Sequence, residues 1–198
     1  LSKTGAVLNL AKRRKSIRVF KSVAIDLEDV YYAINVALQA PSGANTQPWR
    51  FIIIIDNKIK HEIRRRCEES EKRLHENIKV EWFRKWLSDR GITWRKPFLS
   101  DAPVLIAVLS RKDVYYSKES TWLAIGYLLL ALEERGLSSL TYTPSDKRCV
   151  SEVLRIPSEK YSLECVIPVG IAGAEKIKEP RLTLDDVTFF NMYGIKKP

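Results

Sequence analysis

"APSGANTQPWRFIIII", residues 40–55, sets a polar loop of Ser, Asn and Gln, bracketed by Pro41 and Pro48, directly against four isoleucines. The apolar run is rich in β-branched residues and closes at Asp56-Asn57, which predicts a central strand buried on both faces. Upstream, Asp26, Glu28 and Asp29 mark a helix start, and Leu27, Val30, Ile34, Ala37 and Leu38 recur at helical spacing up to Pro41. The loop therefore joins a helix to the mouth of a strand. Ser42, Asn45 and Gln47 offer both donors and acceptors there, while Gly43 and Ala44 let a flat group approach the backbone.

Working outward, residues 58–76 read as a charged helix, and "VEWFRKWL" at 80–87 puts Trp82 and Trp86 on one helical face. Further strands are predicted at 101–109, 137–142 and 162–172, with helices at 119–135 and 146–154 between them. Gly136 stops the longer of these helices. The pattern is α+β: a mixed central sheet of at least four strands under helices, followed by a tail at 175–198 without a core-forming period. Nothing divides the 198 residues into two domains, and one core is expected.

The longest apolar stretch, "WLAIGYLLLAL" at 122–132, falls short of the ~20 residues that span a bilayer and reads as a core helix. The opening "LSKTGAVLNLAKRRK" has no sustained apolar region or small-residue cleavage site, so no signal peptide is expected. Since the chain opens on Leu1 rather than Met, a segment upstream is an open expectation. Cys67, Cys149 and Cys165 are odd in number, widely spaced and never CxxC, which argues against a disulfide framework or zinc ribbon and fits a reducing cytoplasm. With only His61 and His75, no His-rich metal site is expected and a Ser-His-Asp triad has little to draw on.

The abnormal number is a formal charge of +10. Its densest run, "KRRKSIR" at 12–18, fits an anionic ligand, a nucleic acid or a solvated helix face. Arg14, Lys15, Ser16 and Arg18 have the forks and hydroxyl suited to a phosphate. "TYTP" at 141–144 adds Thr141, Tyr142 and Thr143 at a strand end, where ligands of α/β-type sheets commonly sit. Neither GxGxxG nor a P-loop is present.

Together, "RRKSIRVF" at 13–20, "APSGANTQPWRF" at 40–51, "GLSSLTYTP" at 136–144, "IPVGIA" at 167–172 and "EPRLTLDDV" at 179–187 resemble the FMN-dependent nitroreductase superfamily. With "TWRKPFLSDAP" the chain is most similar to its iodotyrosine deiodinase branch. The resemblance implies a three-layer sandwich, a homodimer with FMN at the subunit interface, a helical lid at about 60–98 and a tail crossing to the partner. It also implies that Arg14, Ser16, Arg18 and Arg181 hold the phosphate, ribityl chain and N1/O2 edge, with Lys15 where the motif usually has a second Arg. By the same likeness Pro41, Ser42, Asn45 and Gln47 shape the ring pocket and Thr143 lies near flavin N5. The deiodinases hold their substrate with a Glu, a Tyr four residues later, a distant Lys and a loop alanine. Here the alanine corresponds to Ala44, the lysine to Lys96 and the glutamate to Glu69, which sets Arg73 in the tyrosine's place and leaves Glu68 and Glu71 as neighbouring registers.

The expected function is an FMN-dependent NAD(P)H oxidoreductase of nitroreductase type, reducing an aromatic or quinone-like acceptor in ping-pong fashion. The alternatives are a reductive dehalogenase of halotyrosines or halophenols and, in another class, a non-enzymatic basic nucleic-acid-binding module. Nucleic acid is the less favoured use of the basic run once the phosphate motif is recognised.

Overall fold

The computed structural model describes residues 5–196. Its sheet runs in the order β1 (Trp49–Ile54), β2 (Val104–Arg111), β4 (Tyr161–Gly170), β3 (Ser138–Ser139). Among the described residues all three ladders are antiparallel, and the parallel component is one bridge from Ser16 to Ser139. β2 alternates strictly between two cores. Leu105, Ala107 and Leu109 face one helical layer; Val104, Ile106 and Val108 face the other. The period of two along a strand divides the apolar residues in this way.

On one face lie α3 (Asn57–Glu76), α5 (Phe98–Asp101) and α7 (Arg148–Ser151), with Ile63, Cys67, Leu99 and Val150 fully buried. On the other, α2 (Leu27–Ala37) packs Val30, Ala33 and Ala37 against Ala124, Ile125 and Leu128 of α6 (Ser117–Glu134). Asp26 caps α2 through its carboxylate, as its place before an apolar period predicts, and Asp56, read from the sequence only as the end of a strand, caps α3 in the same way. Two further helices, α1 (Ala6–Arg13) and α4 (Glu81–Asp89), lie nearer solvent, and α4 buries only Leu87. The tail holds one capped turn, α8 (Leu184–Val187). Among the described residues, no helix is long and apolar enough to cross a membrane.

Several expectations change. The isoleucine run is not a central strand: β1 pairs only with β2, its middle is half-buried, and Ile55 is exposed. An apolar run does not distinguish a central strand from an edge whose faces are only partly covered. The segment at 137–142 keeps just two ladder residues plus a bridge from Tyr142 to Val166, and the helix at 146–154 shrinks to α7. In β4 the register slips beside Leu163, leaving Glu164 as the extra residue of a bulge. That carboxylate is buried, accepting from Ser110 Oγ at 2.6 Å and Trp122 Nε1 at 3.1 Å.

Candidate active site

The loop between α2 and β1 is held in an uncommon backbone shape. Ala44, Asn45 and Gln47 all have φ between 45° and 54°, a left-handed region that non-glycine residues enter at a cost of roughly 1–2 kcal/mol each. Local bonds sustain it: Ser42 Oγ accepts from Gln47 N at 3.1 Å, and Asn45 Oδ1 accepts from Gln47 Nε2 at 3.3 Å. Gly43 donates its N–H to Ser120 Oγ on α6, and a Cβ there would stand 2.9 Å from the Tyr116 ring. The loop is thus seated on the start of α6, with Pro41, Ala44, Asn45 and Gln47 exposed and Ser42 half-buried. The buried hydroxyls of Thr46 in this loop and Thr121 in α6 have no hydrogen-bond partner.

A second wall is made of cations. Burial and the neighbouring Arg181 lower the Arg14 pKa, offset only partly by Glu133. Burial lowers Arg18, although its side chain also reaches solvent. Lys176 is lowered by burial and then by Arg18, Arg14 and Arg90, against Glu179; Lys178 by burial and then by Arg181, Arg14 and Lys15, against Glu133. Such crowding of like charges, with few acids among them, suits a dianion. Lys176 Nζ donates to Ser16 O at 3.1 Å, and Lys178 Nζ donates to Lys12 O at 2.9 Å at the end of α1. The tail therefore folds first over its own chain, bringing Arg181 to Arg14. Lys15 lines a cleft of about 510 Å³ with Arg13, Lys21, Lys176 and Glu133.

The strand end gives a mixed outcome. Thr143 is exposed and Thr141 half-buried, but Tyr142 is turned into the core, where its hydroxyl donates to Glu71 Oε1 at 2.9 Å. Its N–H and C=O are both bonded to Val166 and its side chain is buried, so both donors of Tyr142 are already used within the chain, contrary to the cofactor-binding place expected for it. Alternation along an extended segment sends Thr141 and Thr143 the other way.

The glutamate that meets Lys96 is also not the expected one. Glu69 lies on the outer face of α3, paired with Arg65 at 2.5 Å, and Arg73 is also exposed. Lys96 instead meets Glu71 at 3.4 Å, both side chains 8% exposed. Glu71 also accepts from Ser145 N at 3.1 Å, and Lys96 Nζ donates to Thr93 O at 2.6 Å. Burial lowers Lys96, Glu71 opposes the shift, and Arg18 adds to it, which ties the pair to the cationic wall. Four residues beyond Glu71 stands His75, lowered by burial and then by Lys96, with Glu71 raising it. The helical count contains this register: Ile63, Cys67, Glu71 and His75 are successive four-residue steps along one stripe, and Glu69 is not on it.

The expected lid narrows too, since α3 is anchored by Ile63 and Cys67 and only α4 with its connections is loosely held. Trp82 is 70% exposed and packs edge-on against Phe83, which stacks on Trp86. Trp94 has Lys72 and Arg95 over its ring.

The sequence pattern of the nitroreductase family matches residues 11–171. This chain belongs to the nitroreductase family. Within that family, the iodotyrosine deiodinase of Thermotoga neapolitana is 52% identical over 173 residues, covering 87% of this chain and 92% of that protein. The iodotyrosine deiodinase of Haliscomenobacter hydrossis is 34% identical, covering 86% and 81%. A crystal structure of oxidized iodotyrosine deiodinase bound to FMN and 3-iodo-L-tyrosine superposes with a TM-score of 0.90 at 49% identity, covering 94% of this chain and all of that one. These relatives overturn the expected nitroreductase-type reduction of an aromatic or quinone-like acceptor, because at 34–52% identity all three are iodotyrosine deiodinases. Arg73 misled that expectation: with Glu69 taken as the acid, the site lacked its aromatic partner, whereas the buried acid is Glu71.

Proposed function

We propose that this nitroreductase-family enzyme is an FMN-dependent reductive dehalogenase acting on halogenated tyrosine. The observation that carries the reading is the buried Glu71–Lys96 pair beside the cationic wall. An α-amino acid presents an ammonium and a carboxylate a few ångströms apart, the mirror of this pair. On binding, the substrate exchanges one internal ion pair for two intermolecular ones, its carboxylate to Lys96 and its ammonium to Glu71. The left-handed loop supports the reading because Ala44, exposed and at φ 49°, leaves its backbone open to a ligand.

The residues present fit FMN on two observations: the crowded cations at Arg14, Arg18 and Arg181, and the strained polar loop with unpartnered hydroxyls. Arg14, Arg181 and Ser16 would hold its phosphate, Pro41, Ser42, Asn45 and Gln47 its ring, and Arg18 its N1/O2 edge. When bound, FMN supplies the electrons, with NAD(P)H as the proposed donor. Replacing C–I by C–H consumes two electrons and a proton and releases iodide. Thr143 would offer its exposed hydroxyl to the bound flavin, while Glu71 and Lys96 would hold the charged end of the amino acid. α4 with Trp82 and Trp86 closes over the site and excludes water.

A homodimer belongs to the same reading. Trp122, Leu123 and Tyr127 leave an apolar strip on α6, and Leu182, Leu184, Met192 and Tyr193 leave another on the tail, all exposed in the single chain. The cytoplasmic setting expected from the sequence is retained in this proposal.

Two measurements test it. Purified protein should be yellow, release FMN identified by mass, and, when reduced without oxygen, convert 3-iodotyrosine to tyrosine with one iodide per flavin. A colourless chain that refuses FMN, or a reduced chain that releases no iodide, overturns the reading.

The second concerns pH. Burial and Lys96 hold His75 below its ordinary value of 6.5, so the folded chain resists a proton that the unfolded chain accepts. Stability should therefore fall as pH drops below about 6.5 and level off beneath the folded value. A protonated His75 also competes with Lys96 for Glu71, so iodotyrosine affinity should weaken over the same interval. His75→Tyr should flatten both profiles; unchanged profiles would show that His75 does not titrate there.

A further inference from the structure

The spacing of the cysteines hid one contact. Cys67 Sγ on α3 and Cys149 Sγ on α7 lie 2.9 Å apart, although 82 positions separate them in sequence. Both are buried in the core layer formed by α3, α5 and α7, while Cys165 belongs to the layer on the opposite face of the sheet and cannot compete for either. The pair sits in a seam that already joins α3 to the segment after Thr143. Ser70 Oγ meets Ser145 Oγ at 3.0 Å, and Glu71 accepts from both Tyr142 and Ser145.

We propose that Cys67 and Cys149 are a disulfide-forming pair whose bond ties the helix carrying Glu71 and His75 to the segment carrying Thr143. The oxidant is a small-molecule disulfide. Cys149, slightly more exposed than Cys67, is the entry point. The contact with Cys67 lowers its pKa against the effect of burial, whereas the same contact and burial both raise that of Cys67. Its thiolate attacks one sulfur of the reagent and expels a thiolate that takes up a proton. Cys67 then gives up its proton and attacks the Cys149 sulfur, expelling the second reagent thiol. The protein loses two hydrogens and the reagent gains them, so atoms and electrons balance. The cross-link depends on no cofactor and holds whatever the acceptor is.

The test uses the whole chain, incubated either with glutathione disulfide or with dithiothreitol, then unfolded in iodoacetamide and weighed. The expected result is one alkyl group after oxidation, on Cys165, and three after reduction, with a mapped peptide joining Cys67 to Cys149. Closing so long a loop should raise the melting temperature of the oxidised chain by roughly 10 °C. Cys149→Ser should abolish both the cross-link and the shift; the wild-type alkylation count decides the matter even where that variant folds poorly. Three alkyl groups under both conditions, a glutathione adduct that stays on Cys149, or a cross-linked chain no more stable than the reduced one would each overturn the proposal.

Discussion

Lys96→Ala is expected to destabilise the protein by about 3–5 kcal/mol, because it strands the Glu71 carboxylate in a buried site without its cation. The remaining bonds from Tyr142 and Ser145 are insufficient compensation, since neutral donors do not replace the lost charge. Chemical denaturation should register the loss as a lower midpoint with an unchanged slope. Adding Glu71→Gln to Lys96→Met should recover most of it, for Gln still accepts from the Tyr142 hydroxyl and no charge is left unpaired. Recovery of stability without recovery of iodotyrosine binding would separate the two roles, structural and recognitive, that the pair holds. A single Lys96→Ala variant as stable as the parent would mean that water already reaches this pair, and the argument from its burial would fail.

Arg14→Met should have opposite effects on the empty and the FMN-loaded protein. Without an anion, Arg14 is disfavoured by burial and by Arg181, so its removal should raise the melting temperature of the apoprotein. With FMN, the lost charge-assisted bond should weaken cofactor affinity roughly 10- to 150-fold, the equivalent of about 1.5–3 kcal/mol. Fluorescence titration of apoprotein with FMN, alongside thermal melts with and without it, measures both signs. A variant that binds FMN as tightly as the parent would remove Arg14 from the phosphate site and shift attention to Lys15 and its cleft.

Position along α3 shows how far the residues alone reach. The stripe through Ile63, Cys67 and Glu71 is a matter of counting by four, yet a charged helix offers several such counts. Glu68, Glu69 and Glu71 look alike until Glu71 is found paired with the Lys96 ammonium, 25 positions away, while from Lys96 Glu68 accepts only the backbone N–H. His75 then enters the site only because Glu71 does. Tyr142 misleads for a related reason: its neighbours face outward with their hydroxyls available, and only its burial and its bond to Glu71 reveal that it faces inward.

By itself the sequence determined the helix start at Asp26, the presence of buried strands within 101–109 and 162–172, and the family. These follow from local capping, from apolar periodicity and from motifs read in order along the chain, none of which needs a distant partner. Only the tertiary structure decided that the isoleucine strand lies at an edge, that the acid beside Lys96 is Glu71, that Lys176 and Lys178 fold back over residues 11–16, and that Cys67 meets Cys149. Each is a contact between residues remote in sequence, fixed by how layers stack and chains cross. Periodicity states which face a residue occupies; which residue waits opposite is settled by packing.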